Sequence, residues 1–424
     1  MTPPPLSSKQ VASVVESTAA KIALWVGAVS AGKTIASLFA FLFAVRLTQG
    51  TGLVIIVGKT LQTIERNILA PLMDDRLFGA LARQVQHTKG SGVAVILGRE
   101  VHLVGANDSR SEEKIRGSTV ELAYVDEATL LPPGFWEMLV SRLRVAGARL
   151  LATTNPGSTR HWLRLDWILN AAAKNMTVFH FTMDDNPMYF EGGDPGPAYI
   201  ADMKASYTGV FYDRMIKGLW TNAEGAVYDM WDPTRHVIRW EDLPPLKRML
   251  CASIDFGTQH PTAVILLGLG YDRKLYFVDE LRIDVAVNQT RQSPSQQSKT
   301  IRAWLNQPHH PEQVNLRPEW VVVDSAAADF RQELFHDGVA TQGAKKDVMY
   351  GIGLVSSLLA RDLLKVTDRC QGWIDEVTDY VWDTKASERG EDKPNKDKAK
   401  DDSLDTGRYA LATTEAIWRN ELTA

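Results

Sequence analysis

Apolar runs of strand length punctuate the chain, each bounded by glycine, proline or small polar residues. Ile22 to Val26, Leu53 to Val57, Val120 to Val125 and Leu150 to Ala152 are almost uninterrupted hydrophobic stretches. That pattern predicts parallel strands covered on both faces rather than half-exposed antiparallel ones. Val93 to Leu97 and Val101 to Val104 flank Gly98-Arg99-Glu100, which predicts a hairpin. Val11 to Ala20 and Ile35 to Val45 have helical character, the second apolar all round as for a core helix. Further along, Met249 to Asp255, Thr262 to Leu269 and Leu275 to Ile283 are three strands with short connections, a β-meander. A polar stretch, Asn288 to Ser298, and a helix around Thr300 to Leu305 lead to a fourth strand, Trp320 to Val323.

These elements divide the chain into an α/β core at 1–182, a small helical, aromatic-containing lid at 183–226, a linker at 227–247 and a second α/β domain at 248–424. The linker reading rests on Pro233, Pro244 and Pro245. A length of 424 residues accommodates this division. With Cys251 and Cys370 as the only cysteines, a disulfide framework and a cysteine-rich zinc site are both excluded, which suits a reducing cytoplasm. The N-terminal residues do not read as a signal peptide, and the longest apolar run is too short to span a bilayer, so no membrane role is expected. A formal net charge of −4 argues against a uniformly basic DNA-coating protein, but not against a local basic surface on DNA.

The most informative chemistry lies at Gly27-Ala28-Val29-Ser30-Ala31-Gly32-Lys33-Thr34, which fits G-x-x-x-x-G-K-[ST] at every fixed position. A strand precedes it and a helix follows, the context this motif requires. Gly27 and Gly32 let backbone N–H groups turn toward phosphate, Lys33 reaches the β- and γ-phosphates, and the Thr34 hydroxyl faces Mg²⁺. ATP and Mg²⁺ are therefore the expected ligands. Downstream, the strand Val120 to Val125 ends in Asp126-Glu127. Asp126 is expected to hold Mg²⁺, and Glu127 to polarise the attacking water. Thr154 or Asn155, at the end of the next strand, is a candidate γ-phosphate sensor, with a plain Asn-Pro-Gly turn as the alternative. Gln10 is placed either at adenine through its amide or at a solvated helix start. Lys59 and Arg66, after the second strand, are read as a solvated loop in preference to nucleic-acid contacts.

In the second half, Asp255 and Asp324 end strands, and Asp401-Asp402-Ser403-Leu404-Asp405 opens the last helix. Such a set suits oxygen-ligated divalent metal, Mg²⁺ or Mn²⁺, in a phosphodiester-cutting RNase H-like site. Asp402 is favoured as third ligand over Asp401 and Asp405, with Asp405 three residues on along the same helical face. A charged loop from Lys385 to Lys400, including Lys396, Lys398 and Lys400, precedes it.

Seven segments in this order, 27–34, 124–128, 153–157, 184–187, 254–257, 322–325 and 401–409, make the sequence resemble the large terminase subunit of tailed bacteriophages. The resemblance implies an N-terminal P-loop ATPase of ASCE type with a lid and a C-terminal RNase H-like nuclease. It implies a viral DNA-packaging motor that drives double-stranded DNA into a procapsid and cuts concatemers. A homo-oligomeric ring, a portal protein, a small terminase subunit and the host cytoplasm come with it. Many relatives carry an arginine where Ser30 or Ala31 stands here, so the arginine completing the ATP site comes from elsewhere. Arg116, in a glycine-flanked loop upstream of Asp126, is the first candidate for a trans-acting finger, with Arg142 and Arg144 as alternatives. Many relatives also place a histidine where Asp402 sits. The competing reading is a P-loop helicase or translocase whose second domain binds DNA without cutting it.

Overall fold

A computed structural model describes residues 6–189, 196–257, 260–284, 292–395 and 401–423. Lys396, Lys398 and Lys400 of the basic loop, and residues 288–291 of the polar stretch, lie outside the described residues. The chain forms two compact units, one of residues 1–204, 210–223 and 387–391, the other of 205–209, 224–386 and 392–424.

The first unit is built on eight strands: β1 (Ile22–Gly27), β2 (Leu53–Gly58), β3 (Val85–His87), β4 (Val93–Ile96), β5 (Arg99–Gly105), β6 (Val120–Val125), β7 (Arg149–Thr154) and β8 (Met176–Phe181). Their order across the sheet is β3-β4-β5-β2-β6-β7-β1-β8. From β5 to β8 every neighbour is parallel, and β3 and β4 close one edge as antiparallel strands. The hydrophobic runs explain this arrangement: β1 and β6 are buried at every position, which requires cover on both faces. The predicted hairpin is β4–β5, turning through Leu97 and Gly98 at φ 52° and 76°.

Strand β7 pairs with both β1 and β6 and so separates the phosphate-loop strand from the strand ending in Asp126. That inserted strand marks the additional-strand class of P-loop ATPases, and the fold agrees with the sequence reading. Helix α1 (Ser8–Ser17) opens with a capping box between Ser7 and Gln10. Helix α2 (Lys33–Leu47) starts at Gly32, which has φ 76° and offers no side-chain cap. Its first N–H groups are therefore left for another acceptor.

The lid region contributes a helix, Gly196–Ser206, and several short turns. It is tied to the phosphate loop: Val29 N donates to Met215 O at 2.8 Å, and Asn186 Nδ2 to Ser30 O at 2.8 Å.

The second unit carries β9 (Val237–Ile238), β10 (Leu246–Asp255), β11 (Thr262–Gly270), β12 (Leu275–Ile283), β13 (Pro318–Val323), β14 (Gln342–Gly343) and β15 (Leu364–Thr367). Their order is β14-β13-β10-β11-β12-β15-β9. The meander β10–β11–β12 is antiparallel, and β13 joins β10 in parallel, giving the RNase H-like arrangement. Residues 227–247, read as a linker, are instead built into this unit. Pro233 stands in the first turn of a short helix capped by Asp232, His236 is buried, and β9 pairs with β15. Prolines here start a helical turn rather than mark a free connection. Among the described residues no helix is long and apolar enough to cross a membrane.

Candidate functional site

Three strand ends of the first sheet meet at the phosphate loop. Gly27 closes β1 where a Cβ would stand 1.8 Å from Phe181 O, so only glycine fits. A Cβ on Gly32 would stand 2.1 Å from Gln10 Nε2, which lies against the loop backbone. The Gln10 side chain is buried, with Oε1 accepting from Ser7 N at 2.7 Å and Nε2 donating to Gly32 O at 3.4 Å. Of its amide, one N–H remains for a base.

Lys33 is buried, and its Nζ donates to Ala28 O at 3.1 Å and to Asn155 Oδ1 at 2.5 Å. Burial lowers its pKa, opposed by the charges of Glu127 and Asp126. Thr34 follows, half-buried, in the first turn of α2.

Asp126, at the end of β6, accepts from Thr153 Oγ1 at 3.3 Å and from Asn67 Nδ2 at 3.1 Å. Burial raises its pKa, opposed by those hydrogen bonds and by the charges of Lys33 and Arg66. Glu127 holds a left-handed backbone, φ 52° and ψ 65°, without being glycine. Such a conformation costs roughly 1–2 kcal/mol, and strain of this kind gathers at functional positions. Its carboxylate accepts from Asn155 N and from Asn155 Nδ2, both at 3.0 Å. Burial pushes its pKa up, with Lys33 opposing and Asp126 adding to the shift. Asn155 thus bridges Lys33 and Glu127. Thr154 faces elsewhere: its hydroxyl donates to Thr129 Oγ1 at 2.8 Å and fixes the loop after Glu127.

The candidate arginines differ in their surroundings. Arg116 lies exposed in the turn before β6, next to Gly117 at φ 81°. Arg142 Nη2 contacts Met138 Sδ at 3.0 Å, and Arg144 Nε donates to Ser141 O at 3.1 Å. The arginine whose charge acts on Asp126 is Arg66, with Nε donating to Asn67 Oδ1 at 3.1 Å. Sequence reasoning left Arg66 in a solvated loop and missed Asn67 and Thr153. Arg66 and Asn67 sit in a π-helical turn, Glu65–Leu69, just after β2. A π-turn breaks the 3.6-residue period and aims a side chain that periodicity cannot locate.

In the second unit the register places the carboxylates. Ile254 pairs with Val323, so Asp255 and Asp324 leave neighbouring strand ends, and Asp324 N donates to Ile254 O at 3.3 Å. Ala263 pairs with Asp255, and Thr406 Oγ1 donates to Ala263 O at 3.4 Å. Thr406 lies one turn beyond Asp402 in the C-terminal helix, Asp402–Thr423, so the start of that helix stands over Asp255. Burial, then the charges of Asp402, Asp324 and Asp401, push Asp255 up to about 6. Lys346 Nζ donates to both carboxylate oxygens of Asp324, at 2.6 and 2.8 Å. Asp405 is ion-paired with Arg408, three residues on.

Among the described residues no three His, Cys, Asp or Glu side chains stand close enough to hold one metal ion as they are placed. Lys346 engages Asp324, and Arg282 Nη2 lies 3.8 Å from Asp402 Oδ2. The donor set itself fits a hard divalent cation. It is all carboxylate oxygen, and the repulsion that raises Asp255 is what such a cation relieves.

A stability prediction follows from that repulsion. Between the ordinary aspartate value and about 6, the folded chain holds a proton on Asp255 that the unfolded chain has lost. This group therefore destabilises the fold as pH rises through that window and does so fully above it. Asp255→Asn cannot ionise. In EDTA at pH 7.5 it is expected to be more stable than the parent by on the order of 2 kcal/mol, the gap closing below about pH 4. Thermal melts across pH check this, and a variant that melts below the parent at every pH contradicts it.

A family model described as terminase large subunit, T4likevirus-type, N-terminal, matches residues 24–232. A large terminase subunit of Escherichia phage T5 is 26% identical over 201 residues, covering 44% of this chain and 42% of that protein. The chain thus aligns with less than half the length of that curated relative. The large terminase of a thermophilic bacteriophage, solved by itself, is 30% identical with a TM-score of 0.83, over 97% of this chain and 99% of that one. The same thermophilic phage protein in complex with ADP is 29% identical with a TM-score of 0.84, over 97% of this chain and 100% of that one.

Proposed function

This chain belongs to the large terminase subunits of bacteriophages, and on that premise we propose that it is an ATP-driven double-stranded DNA packaging motor with a metal-dependent endonuclease in its second unit. The observation that carries the ATPase reading is Asn155, which holds Lys33 and Glu127 at once. A γ-phosphate entering the loop competes with Asn155 for Lys33. When Lys33 turns to phosphate, Asn155 is left on Glu127 alone, and the carboxylate is oriented to accept a proton from water. ATP occupancy is thereby coupled to the catalytic base.

Thr34 and Asp126 would hold Mg²⁺, which when bound neutralises charge on the phosphates. Gln10 offers its remaining amide N–H to the base. In the second unit Asp255, Asp324 and Asp402 are the proposed ligands of the nuclease metals, with Mg²⁺ or Mn²⁺ as the ion. Asp405, paired with Arg408, takes a supporting place. Portal protein, small subunit, a ring of copies and the host cytoplasm are the proposed setting.

Arg116 is the proposed trans-acting finger. It is exposed, and Lys33, Asp126 and Glu127 take their charge effects from one another and from Arg66 instead. An arginine finger contributes about a thousandfold or more to turnover. Arg116→Ala is expected to bind ATP and hydrolyse it poorly. Mixing it with Lys33→Ala protein is expected to restore phosphate release, because an intact Arg116 then serves an intact loop on its neighbour. Full activity of the single variant, or no recovery on mixing under assembling conditions, removes this role.

Translocation is tested by displacement of a triplex-forming oligonucleotide from linear duplex DNA. The parent is expected to displace it with ATP, and Lys33→Ala is not. Displacement that is independent of ATP would contradict a motor.

A further inference from the structure

Beside the acidic cluster, Arg282 at the end of β12 draws three carboxylates around one guanidinium. Its Nη1 lies 2.5 Å from Glu376 Oε1 and 4.0 Å from Glu280 Oε1, and its Nη2 lies 3.8 Å from Asp402 Oδ2. It also donates to Ser403 Oγ, which in turn donates to Glu280 Oε1. Glu376 Oε2 accepts from Ser403 N at 2.8 Å and from Leu404 N at 3.1 Å. These are first-turn amides of the C-terminal helix, so Glu376 caps that helix from a separate element. Glu280 is anchored by Trp373 N at 3.2 Å. The side chains of Glu280 and Glu376 are 2% and 7% exposed, and Arg282 is 22% exposed. A Cβ on Gly372 would stand 2.5 Å from Arg282 Cδ, so the guanidinium stem is closely enclosed.

We infer that Arg282 is a positioning residue of the nuclease site, which with Glu376 fixes the first turn of the C-terminal helix and so the orientation of the Asp402 carboxylate toward Asp255. This rests on the reading of Asp255, Asp324 and Asp402 as metal ligands. The chemistry is that of a partner one shell out. A ligating carboxylate that is itself held by a charged donor loses less freedom on binding a cation, and losing such a partner commonly weakens metal binding about tenfold to a hundredfold. Arg282 faces Glu376, Ser403 and Asp402 together, which is the arrangement of an orienting group rather than of one reaching for DNA. A lysine keeps the charge but not the planar fork that reaches several acceptors.

The test is direct Mn²⁺ binding to the full chain without nucleotide, read by electron paramagnetic resonance, together with the Mn²⁺ dependence of plasmid cleavage. For Arg282→Gln, Mn²⁺ affinity is expected to fall by about tenfold or more, with the half-saturating Mn²⁺ for cleavage rising by the same factor. Cleavage at saturating Mn²⁺ and DNA-stimulated ATPase are expected to stay near the parent, and Arg282→Lys to recover part of the affinity. Glu376→Gln, which keeps the shape of the cap, is expected to move affinity the same way and guards against misfolding of the first variant. Unchanged Mn²⁺ affinity in both variants overturns the inference. So does a loss of maximal cleavage at unchanged affinity, which would make Arg282 a DNA contact. Parent and Asp255→Asn are run alongside. If the parent binds no Mn²⁺ that Asp255→Asn loses, the ligand reading fails first and the inference falls with it.

Discussion

Glu127→Gln is expected to bind ATP and to release phosphate at least about a hundredfold more slowly than the parent. The substitution keeps the length of the side chain and the left-handed backbone that presents it, φ 52° and ψ 65°. What it removes is the carboxylate that accepts from Asn155 N and Nδ2. A carboxamide can satisfy one of those donors through its oxygen, while its own NH₂ group cannot accept the other. It cannot take a proton from water. Binding should survive, because the loop glycines, Lys33 and the start of α2 are unchanged. A fluorescent ATP analogue reports binding, and a phosphate-release assay reports turnover. Turnover near the parent rate with binding intact would remove Glu127 from the mechanism.

Asp255→Ala and Asp324→Ala are each expected to lose plasmid cutting by on the order of a thousandfold or more while keeping DNA-stimulated ATPase. The two carboxylates leave adjacent strand ends in the second unit, while the ATP residues lie in the first. Removing either one takes a charged oxygen donor from a site that needs several to hold a divalent cation. Agarose gels in Mn²⁺ measure the loss, and the phosphate assay on the same preparations verifies that the fold is intact. A variant that still linearises plasmid at the parent rate would show that the metal ligands lie elsewhere.

Much of this was readable in the chain because buried parallel strands leave a strong mark. The runs ending at Gly27 and Asp126 are apolar at almost every position, and the functional groups stand at their carboxyl ends, where such sheets bind ligands. Contacts made by partners distant in sequence were less readable. Nothing in the spacing of Asp255 and Asp324 says that Ile254 pairs with Val323, and the register alone makes them neighbours. Arg66 and Asn67 were hidden by a π-helical turn that breaks the helical period. Thr154 and Asn155 were equivalent in sequence. The end of β7 turns one toward Thr129 and the other toward Lys33 and Glu127. Residues 227–247 read as a linker through their prolines, although Val237 and Ile238 form an edge strand. Arg282, Glu376 and Ser403 come from three separate elements, and no local pattern announces a network assembled that way.

The most direct test of a motor and a nuclease in one chain is a single incubation. The full chain is mixed with supercoiled plasmid, ATP, Mg²⁺ and Mn²⁺, and phosphate release and DNA topology are read from the same tube. The expected result is phosphate release that rises with DNA, accompanied by conversion of plasmid to linear product. DNA-stimulated phosphate release over plasmid that stays supercoiled would contradict the nuclease and leave a translocase that only binds DNA.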